Sequence, residues 1–311
     1  MPHYLVTGGA GFIGSHLCEE LVRRGERVRV VDNLITGKRQ NLAHLPQVEF
    51  MEGDLADIDV ARRAAHGIEY VLHQAAIPSV PRSVEDPATS NRANITATLN
   101  VLLAARKAGV KRLVYAGSSS AYGDTPTLPK HEGMPTNPQS PYALQKLVGE
   151  QYCQLFTKLY GFPTVTTRYF NVFGPRQDPG SPYSGVISLF ATAVLDGRPP
   201  IIHGDGGQTR DFTYIANVVD GVLRACEAPN VSGEVINVAT GGRISLNDLL
   251  RVLSGLVKTS VPAIHKEPRA GDVRDSQADI SKARTLLGYK PIVSFEDGLE
   301  RTLEWCRASK A

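Results

Sequence analysis

Short apolar runs alternate with helical repeats through the first half of the chain. His3–Thr7 is a strand-like run that ends directly on glycines. Between Phe12 and Arg24, Ile13, Leu17 and Leu21 recur four residues apart, which places them on one helical face. Gly25 ends that helix, and Arg27–Val31 (RVRVV) forms a second strand closed by Asp32. Val48–Glu52 and Tyr70–His73 read as the third and fourth strands, Arg112–Ala116 as the fifth and Thr164–Arg168 as the sixth. Long helical stretches fall at Ser90–Ala108 and Pro141–Tyr160. Strands that alternate with helices predict an α/β fold built on a doubly wound parallel sheet, the Rossmann arrangement.

After residue 171 the pattern loosens. Proline and glycine become dense through NVFGPRQDPGSPYSG and DGRPPIIHGDGG, and the elements shorten. This half is expected to form mainly a smaller α/β cap over the C-terminal edge of the sheet, with some segments returning to it. The expected division is therefore 1–170 for the sheet domain and 171–311 for the cap.

Charge and composition narrow the options. A net charge of +3 over 311 residues, without blocks of like charge, gives no reason to expect nucleic acid as a partner. No apolar run reaches the roughly 20 residues that cross a bilayer, so no membrane role is expected. MPHYLVTGG lacks the pattern of a secretory leader, and Cys18, Cys153, Cys226 and Cys306 are scattered, as free thiols of a cytoplasmic protein would be. His131 and His203 fall in loops at spacings that suggest no metal site.

The chemistry begins at Thr7-Gly8-Gly9-Ala10-Gly11-Phe12-Ile13-Gly14, between the first strand and the first helix. Gly8 suits a tight turn, Gly11 lets backbone amides approach a pyrophosphate, and Gly14 lets the helix pack close to the strand. The helix N-terminus then faces the phosphate charge. Asp32 ends the next strand, 18 residues beyond Gly14. A carboxylate there accepts both ribose hydroxyls of NAD and repels the 2′-phosphate of NADP. NAD is the expected cofactor.

A second constellation follows. Tyr142 and Lys146 stand four residues apart in SPYALQKLVGE and share one helical face. Ser118-Ser119-Ser120 ends the strand before them, at the sheet edge where ligands bind. Oxidising an alcohol with NAD requires a base for the hydroxyl proton, and a tyrosine with an ordinary pKa of about 10 is a poor one. A neighbouring ammonium and the positive nicotinamide are expected to favour the phenolate, a shift of about 3 units or roughly 4 kcal/mol. A serine hydroxyl can orient the same substrate oxygen. His73, at the end of the fourth strand, is expected to be packed rather than reactive.

TGGAGFIG, the Ser118…Tyr142-x-x-x-Lys146 set, RYFNVFGPRQ, TRDFTYI and RAGDVRDSQADISKA together resemble the extended short-chain dehydrogenase/reductases, specifically the nucleotide-sugar 4-epimerases, almost end to end. The resemblance implies Ser118, Tyr142 and Lys146 as catalytic serine, base and activator. It implies cofactor contacts at Gly8, Gly11, Phe12, Ile13, Asp32, Asn33, Gly37, Asp54, Leu55, Ala75, Asn94 and Tyr169, with Phe170 close by, besides Tyr142 and Lys146. For the sugar nucleotide it implies Ser79, Ser118, Ser120, Asn171, Arg210, Arg269, Asp272 and Ser276. Arg210 and Arg269 are suited to the diphosphate of UDP because their donors are planar and bidentate. The family commonly pairs its long helices in a homodimer, here through stripes such as Ile95, Leu99 and Leu102, then Leu147, Leu155 and Leu159.

The related dehydratases carry an Asp-Glu pair after the catalytic serine or threonine, and the decarboxylases a glutamate nearby. Ser119 and Ser120 stand there instead, which favours oxidation and return of hydride without elimination. Ser276 takes the place of the bulky tyrosine found in epimerases restricted to glucose and galactose. With IPSVPRS and SPYSGVI it points to UDP-GlcNAc/UDP-GalNAc, with room for UDP-glucose/UDP-galactose. A UDP-glucuronate 4-epimerase, another nucleotide-sugar oxidoreductase or dehydratase, and a non-catalytic NAD-sensing regulator are the alternatives.

Overall fold

Alternate residues of each strand face opposite sides of one sheet, and both sides are buried. Tyr4, Val6, Val28 and Val30 join one apolar cluster, while Leu5, Val31 and Val71 join the other. This is why the strands read as continuous apolar runs. The computed structural model describes residues 1–178, 185–259, 261–268 and 273–309. Among these, β1 (His3–Thr7), β2 (Arg27–Asp32), β3 (Glu49–Glu52), β4 (Tyr70–His73), β5 (Arg112–Ser118), β6 (Thr164–Tyr169) and β7 (Val235–Val238) form the main sheet. Its order is β7-β6-β5-β4-β1-β2-β3, and every neighbouring pair is parallel. The chain leaves β1 in one direction to β2 and β3, and later fills the other side from β4 onward. The switch point between β1 and β4 opens the crevice where such folds bind ligands.

One face is covered by α1 (Phe12–Arg23) and α8 (Ile215–Glu227), through Leu17, Leu21, Val218 and Val222. The other is covered by α2 (Ile58–Ala65), α5 (Ala97–Lys107) and α6 (Pro141–Tyr160), through Ala64, Leu102, Cys153 and Phe156. The helical stretch expected at Ser90–Ala108 begins earlier and is not uniform. After α3 (Val80–Glu85), α4 (Pro87–Asn91) starts where the Asp86 carboxylate accepts a bond from Thr89 N at 3.0 Å. A π-helical turn at Arg92–Thr96 then leads into α5. α2 escaped the periodicity because it is short and alanine-rich.

Beyond residue 171, β7 pairs with β6 from Val235–Thr166 to Val238–Tyr169, and α8 packs under β5 and β6. α7 (Val186–Leu195), α9 (Leu246–Val257), α10 (Ser281–Leu287) and α11 (Phe295–Ala308) make up the rest of this half. They are accompanied by short strand pairs: Val172–Phe173 with Thr213–Tyr214, Thr209–Arg210 with Ile244–Ser245, and Ile201–His203 with Ile264–Lys266. Among the described residues, no helix is long and apolar enough to cross a membrane.

Candidate active site

A cavity of about 1030 Å³ opens at the switch point and runs from the glycine turn to the segment carrying Ser276. Gly8 leaves β1 at φ +66°, and a Cβ there would lie 2.8 Å from the Ala75 backbone. A Cβ on Gly14 would lie 2.2 Å from the Gly8 carbonyl, so α1 sits hard against the turn. The first turn of α1 has no side-chain cap and no acidic residue, which leaves its N–H groups for an anion.

Asp32 is buried at the end of β2. Its carboxylate accepts bonds from Ala10 N at 3.0 Å and Leu34 N at 2.8 Å. Burial raises its pKa, and these two bonds oppose the rise. A carboxylate has about four acceptor sites, so capacity for two hydroxyls remains. Gly11, Phe12, Ile13, Asn33, Gly37, Asp54, Leu55 and Ala75 line the same end of the cavity. Asp54 is already engaged by Ala56 N at 2.9 Å and Arg92 Nη2 at 2.6 Å.

Asn94 stands behind the cavity wall. Its amide accepts from Ile77 N at 2.8 Å and donates to Gln145 Oε1 at 2.8 Å, bracing the loop that lines the pocket. The sequence reading passed over Gln74, which follows β4. Its Oε1 accepts from the Tyr169 hydroxyl at 3.0 Å, while its Nε2 is buried without an acceptor at the cavity wall. The close-packed glycines, the uncapped helix, the acidic strand end and this orphaned donor all fit a dinucleotide.

The middle of the cavity is built by β5 and α6. Ser118 is the last residue of β5, with Ser119 and Ser120 beyond it on the cavity wall. α6 starts at Pro141 because Ser140 Oγ accepts from Ala143 N at 3.2 Å, and Gly161 closes it in the left-handed conformation. Tyr142 in the first turn is held by its own N–H, which donates to Ser83 Oγ at 3.0 Å. The Ser118 hydroxyl pairs with Ser120 Oγ at 2.8 Å, and Ser118 and Tyr142 line the same cavity. Lys146, one turn on, is buried with its Nζ 4.8 Å from the Tyr115 ring centroid. Burial lowers the Lys146 pKa to about 8.

Burial raises the pKa of Tyr142, and the neighbouring Ser118 hydroxyl opposes the rise. The phenolate expected from the sequence draws on the nicotinamide charge as well. His73 is fully buried between Thr7 Oγ1 at 2.6 Å and Thr98 Oγ1 at 3.0 Å. Burial, reinforced by the Lys146 charge, lowers its pKa to about 3, which keeps it neutral.

At the far end Ser79, Ser120, Asn171, Arg210 and Ser276 all line the cavity. Ser79 caps α3 by accepting from Arg82 N at 3.2 Å. Asn171 has φ +32° and donates through Nδ2 to the Asp211 carbonyl at 3.3 Å. Arg210 Nη1 donates to the Thr209 and Arg274 carbonyls at 2.9 and 3.0 Å. Arg269 and Asp272 lie outside the described residues, as does most of SPYSG.

Two further residues were not read from the sequence. Asp211 is fully buried and gathers bonds from Thr240 N and Oγ1, Gly241 N and Ala278 N, tying the Arg210 strand to the segment of Ser276. Lys130 lines the cavity with a buried side chain whose ammonium donates to the Thr125 carbonyl. Among the described residues, no group of three or more His, Cys, Asp or Glu side chains is placed to hold a metal.

Residues 4–239 match the NAD dependent epimerase/dehydratase family. The structure of a UDP-glucose 4-epimerase from Thermotoga maritima, with UDP-glucose, is 39% identical with a TM-score of 0.95, covering 99% of this chain and 100% of that one. A UDP-N-acetylglucosamine 4-epimerase from Methanobrevibacter ruminantium, in complex with UDP-N-acetylmuramic acid, is 37% identical with a TM-score of 0.95, covering 99% of both chains. A UDP-glucuronate 4-epimerase of Thermodesulfobacterium geofontis is 36% identical over 320 residues, 99% of this chain and 97% of the relative. The chain belongs to the NAD dependent epimerase/dehydratase family, and NAD is its cofactor.

Proposed function

We propose that this protein is an NAD-dependent C4 epimerase of UDP-hexoses that prefers UDP-GlcNAc and UDP-GalNAc and also accepts UDP-glucose and UDP-galactose. The observation that carries this reading is the convergence of Ser118, Tyr142 and Lys146 on one cavity, the last two a turn apart on α6, with serines rather than carboxylates following Ser118. Bound NAD supplies the hydride acceptor and donor. Tyr142 takes the proton of the sugar's C4 hydroxyl, and Ser118 holds that oxygen in line. Lys146 favours the phenolate by its charge. The 4-keto sugar turns about its phosphate linkage so that hydride would return to the other face of C4, and Tyr142 gives the proton back to the C4 oxygen.

Residues 1–170 are assigned to the cofactor and 171–311 mainly to the sugar nucleotide. Gly8, Gly11, Phe12, Ile13, Asp32, Asn33, Gly37, Asp54, Leu55, Ala75 and Tyr169 are assigned to NAD directly, and Asn94 through the loop it braces. Asn171, Arg210, Arg269 and Asp272 are assigned to UDP, and Ser79, Ser120 and Ser276 to the sugar. Ser276 is small and buried at the cavity wall, which favours a 2-acetamido group over exclusion of it. A homodimer is proposed through the exposed apolar residues Leu103 of α5 and Leu144, Leu155 and Leu159 of α6.

The test is a side-by-side assay of UDP-GlcNAc, UDP-glucose and UDP-glucuronate with the purified protein, with and without added NAD. UDP-GalNAc is expected to form fastest. Faster turnover of UDP-glucuronate overturns the sugar assignment, and a 4-keto-6-deoxy product overturns the epimerase reading.

A further inference from the structure

Tyr142, Lys146 and Glu150 follow one another at four-residue intervals along α6, so they share a face of that helix. Glu150 does not reach the cavity. It is 4% exposed and grips Arg168, 3% exposed, with two parallel bonds: Arg168 Nε to Oε2 at 2.8 Å and Nη2 to Oε1 at 2.6 Å. Arg168 belongs to β6, where it lies in register with Gly117 of β5, and its neighbour Tyr169 with Ser118. The paired charges therefore join the helix that carries Tyr142 to the strand position beside Ser118.

The other side of Arg168 faces the cavity wall. Its Cζ lies 4.5 Å from the ring centroid of Tyr122, which lines the cavity, and its Nη1 is buried without a hydrogen-bond acceptor. The Tyr122 hydroxyl donates to Asn237 Oδ1 at 2.8 Å, and Asn237 Nδ2 donates to the Lys130 carbonyl at 2.9 Å. One chain of polar contacts thus runs from α6, through the strand next to Ser118, to the wall around Lys130.

A buried ion pair is a weak source of stability, because desolvation offsets the attraction and apolar residues of similar volume often do as well. What such a pair does provide is geometry, since a bidentate fork fixes both distance and angle. Proton transfer needs this: base and orienting hydroxyl must share one oxygen within hydrogen-bond reach.

We propose that Glu150 and Arg168 are positioning residues that hold Tyr142 opposite Ser118 in the cavity and, through Tyr122, set the adjoining wall of the sugar pocket. The proposal rests on the assignment of Ser118 and Tyr142 as the reacting pair. Its test is the double variant Glu150→Met/Arg168→Met, with the charge-preserving Glu150→Asp alongside, which shortens the fork without leaving Arg168 unpaired, in case the double variant does not fold. The double variant is expected to melt within a few degrees of the wild type and to retain its NAD. Its kcat is expected to fall about 10-fold or more, while KM for the UDP-sugar changes less than about 3-fold. Glu150→Asp is expected to show a smaller loss of the same kind. A wild-type kcat in either variant overturns the proposal, as does a kcat loss that only parallels lost NAD or lost folded protein. A crystal structure of whichever variant folds gives a reading independent of turnover: the Ser118–Tyr142 separation should lengthen, and an unchanged separation overturns the proposal. If the wild type converts no UDP-hexose, the functional assignment fails, while that separation still decides the positioning role.

Discussion

Lys146 meets Tyr115 through its charge and not through a carboxylate: the ammonium stands 4.8 Å from the ring centroid, and the Tyr115 hydroxyl donates to the Lys146 carbonyl at 3.3 Å. A cation held this way is only partly compensated for its burial, and its pKa falls from 10.5 to about 8.

The consequence for stability has a definite sign. Because the folded pKa lies below the unfolded one, the unfolded chain holds more protons between about pH 8 and 10.5, and stability rises with pH across that window. Below it the full penalty applies. Lys146→Met removes the penalty, so its advantage over wild type should shrink by roughly 2–3 kcal/mol between pH 7 and pH 10.5. Urea unfolding of the NAD-free proteins at both pH values checks this, and a constant difference would contradict it. The same variant should lose most of its epimerase activity at pH 7.

Tyr142→Phe keeps the ring that packs at the start of α6 and removes only the hydroxyl. Turnover should fall by about 10³-fold with bound NAD unchanged. Nucleotide content measured after denaturation, together with the rate of sugar conversion, separates the two effects. Appreciable turnover would remove Tyr142 from the role of base.

Ser276→Tyr fills the cavity wall at the sugar end. It should reduce kcat/KM for UDP-GlcNAc at least roughly 10-fold more than for UDP-glucose, because the added ring competes with the acetamido group. Parallel losses on both sugars would show that Ser276 does not face the C2 substituent.

Two glycine substitutions should act in opposite directions. Gly14→Ala would place a Cβ 2.2 Å from the Gly8 carbonyl and 2.7 Å from Gly9 Cα. It should cost about 1–3 kcal/mol and weaken NAD retention. Gly255→Ala, within α9 with nothing inside 4 Å, should instead add about 0.5–1 kcal/mol. Thermal unfolding and bound NAD distinguish the pair.

What could be read from the chain was what depends on neighbours in sequence. The RVRVV run announces β2 because both faces of the sheet are buried, and the glycine turn announces the cofactor end because its spacing is local. Asn94 shows the limit. Its place on a helix was legible, but its amide turns to Ile77 and Gln145, a choice made by packing across 17 and 51 residues. Glu150 and Arg168 were silent for the same reason. Glu150 closes SPYALQKLVGE and Arg168 opens RYFNVFGPRQ, but nothing in either stretch says that the two meet, which happens only after β6 has been laid beside β5. The raised pKa of Tyr142 was also beyond reach, because the depth of burial decides it, and pattern says little about depth.

β7 lies at the outer margin of the sheet, beside β6, although 65 residues separate the end of one strand from the start of the other. Until it arrives, the backbone groups of Thr164–Tyr169 have no partner on that side. During synthesis the cofactor fold therefore carries one unpaired border until the remaining segment emerges. A fragment ending near residue 171 would keep that border permanently, and clumping is the fate its geometry prepares.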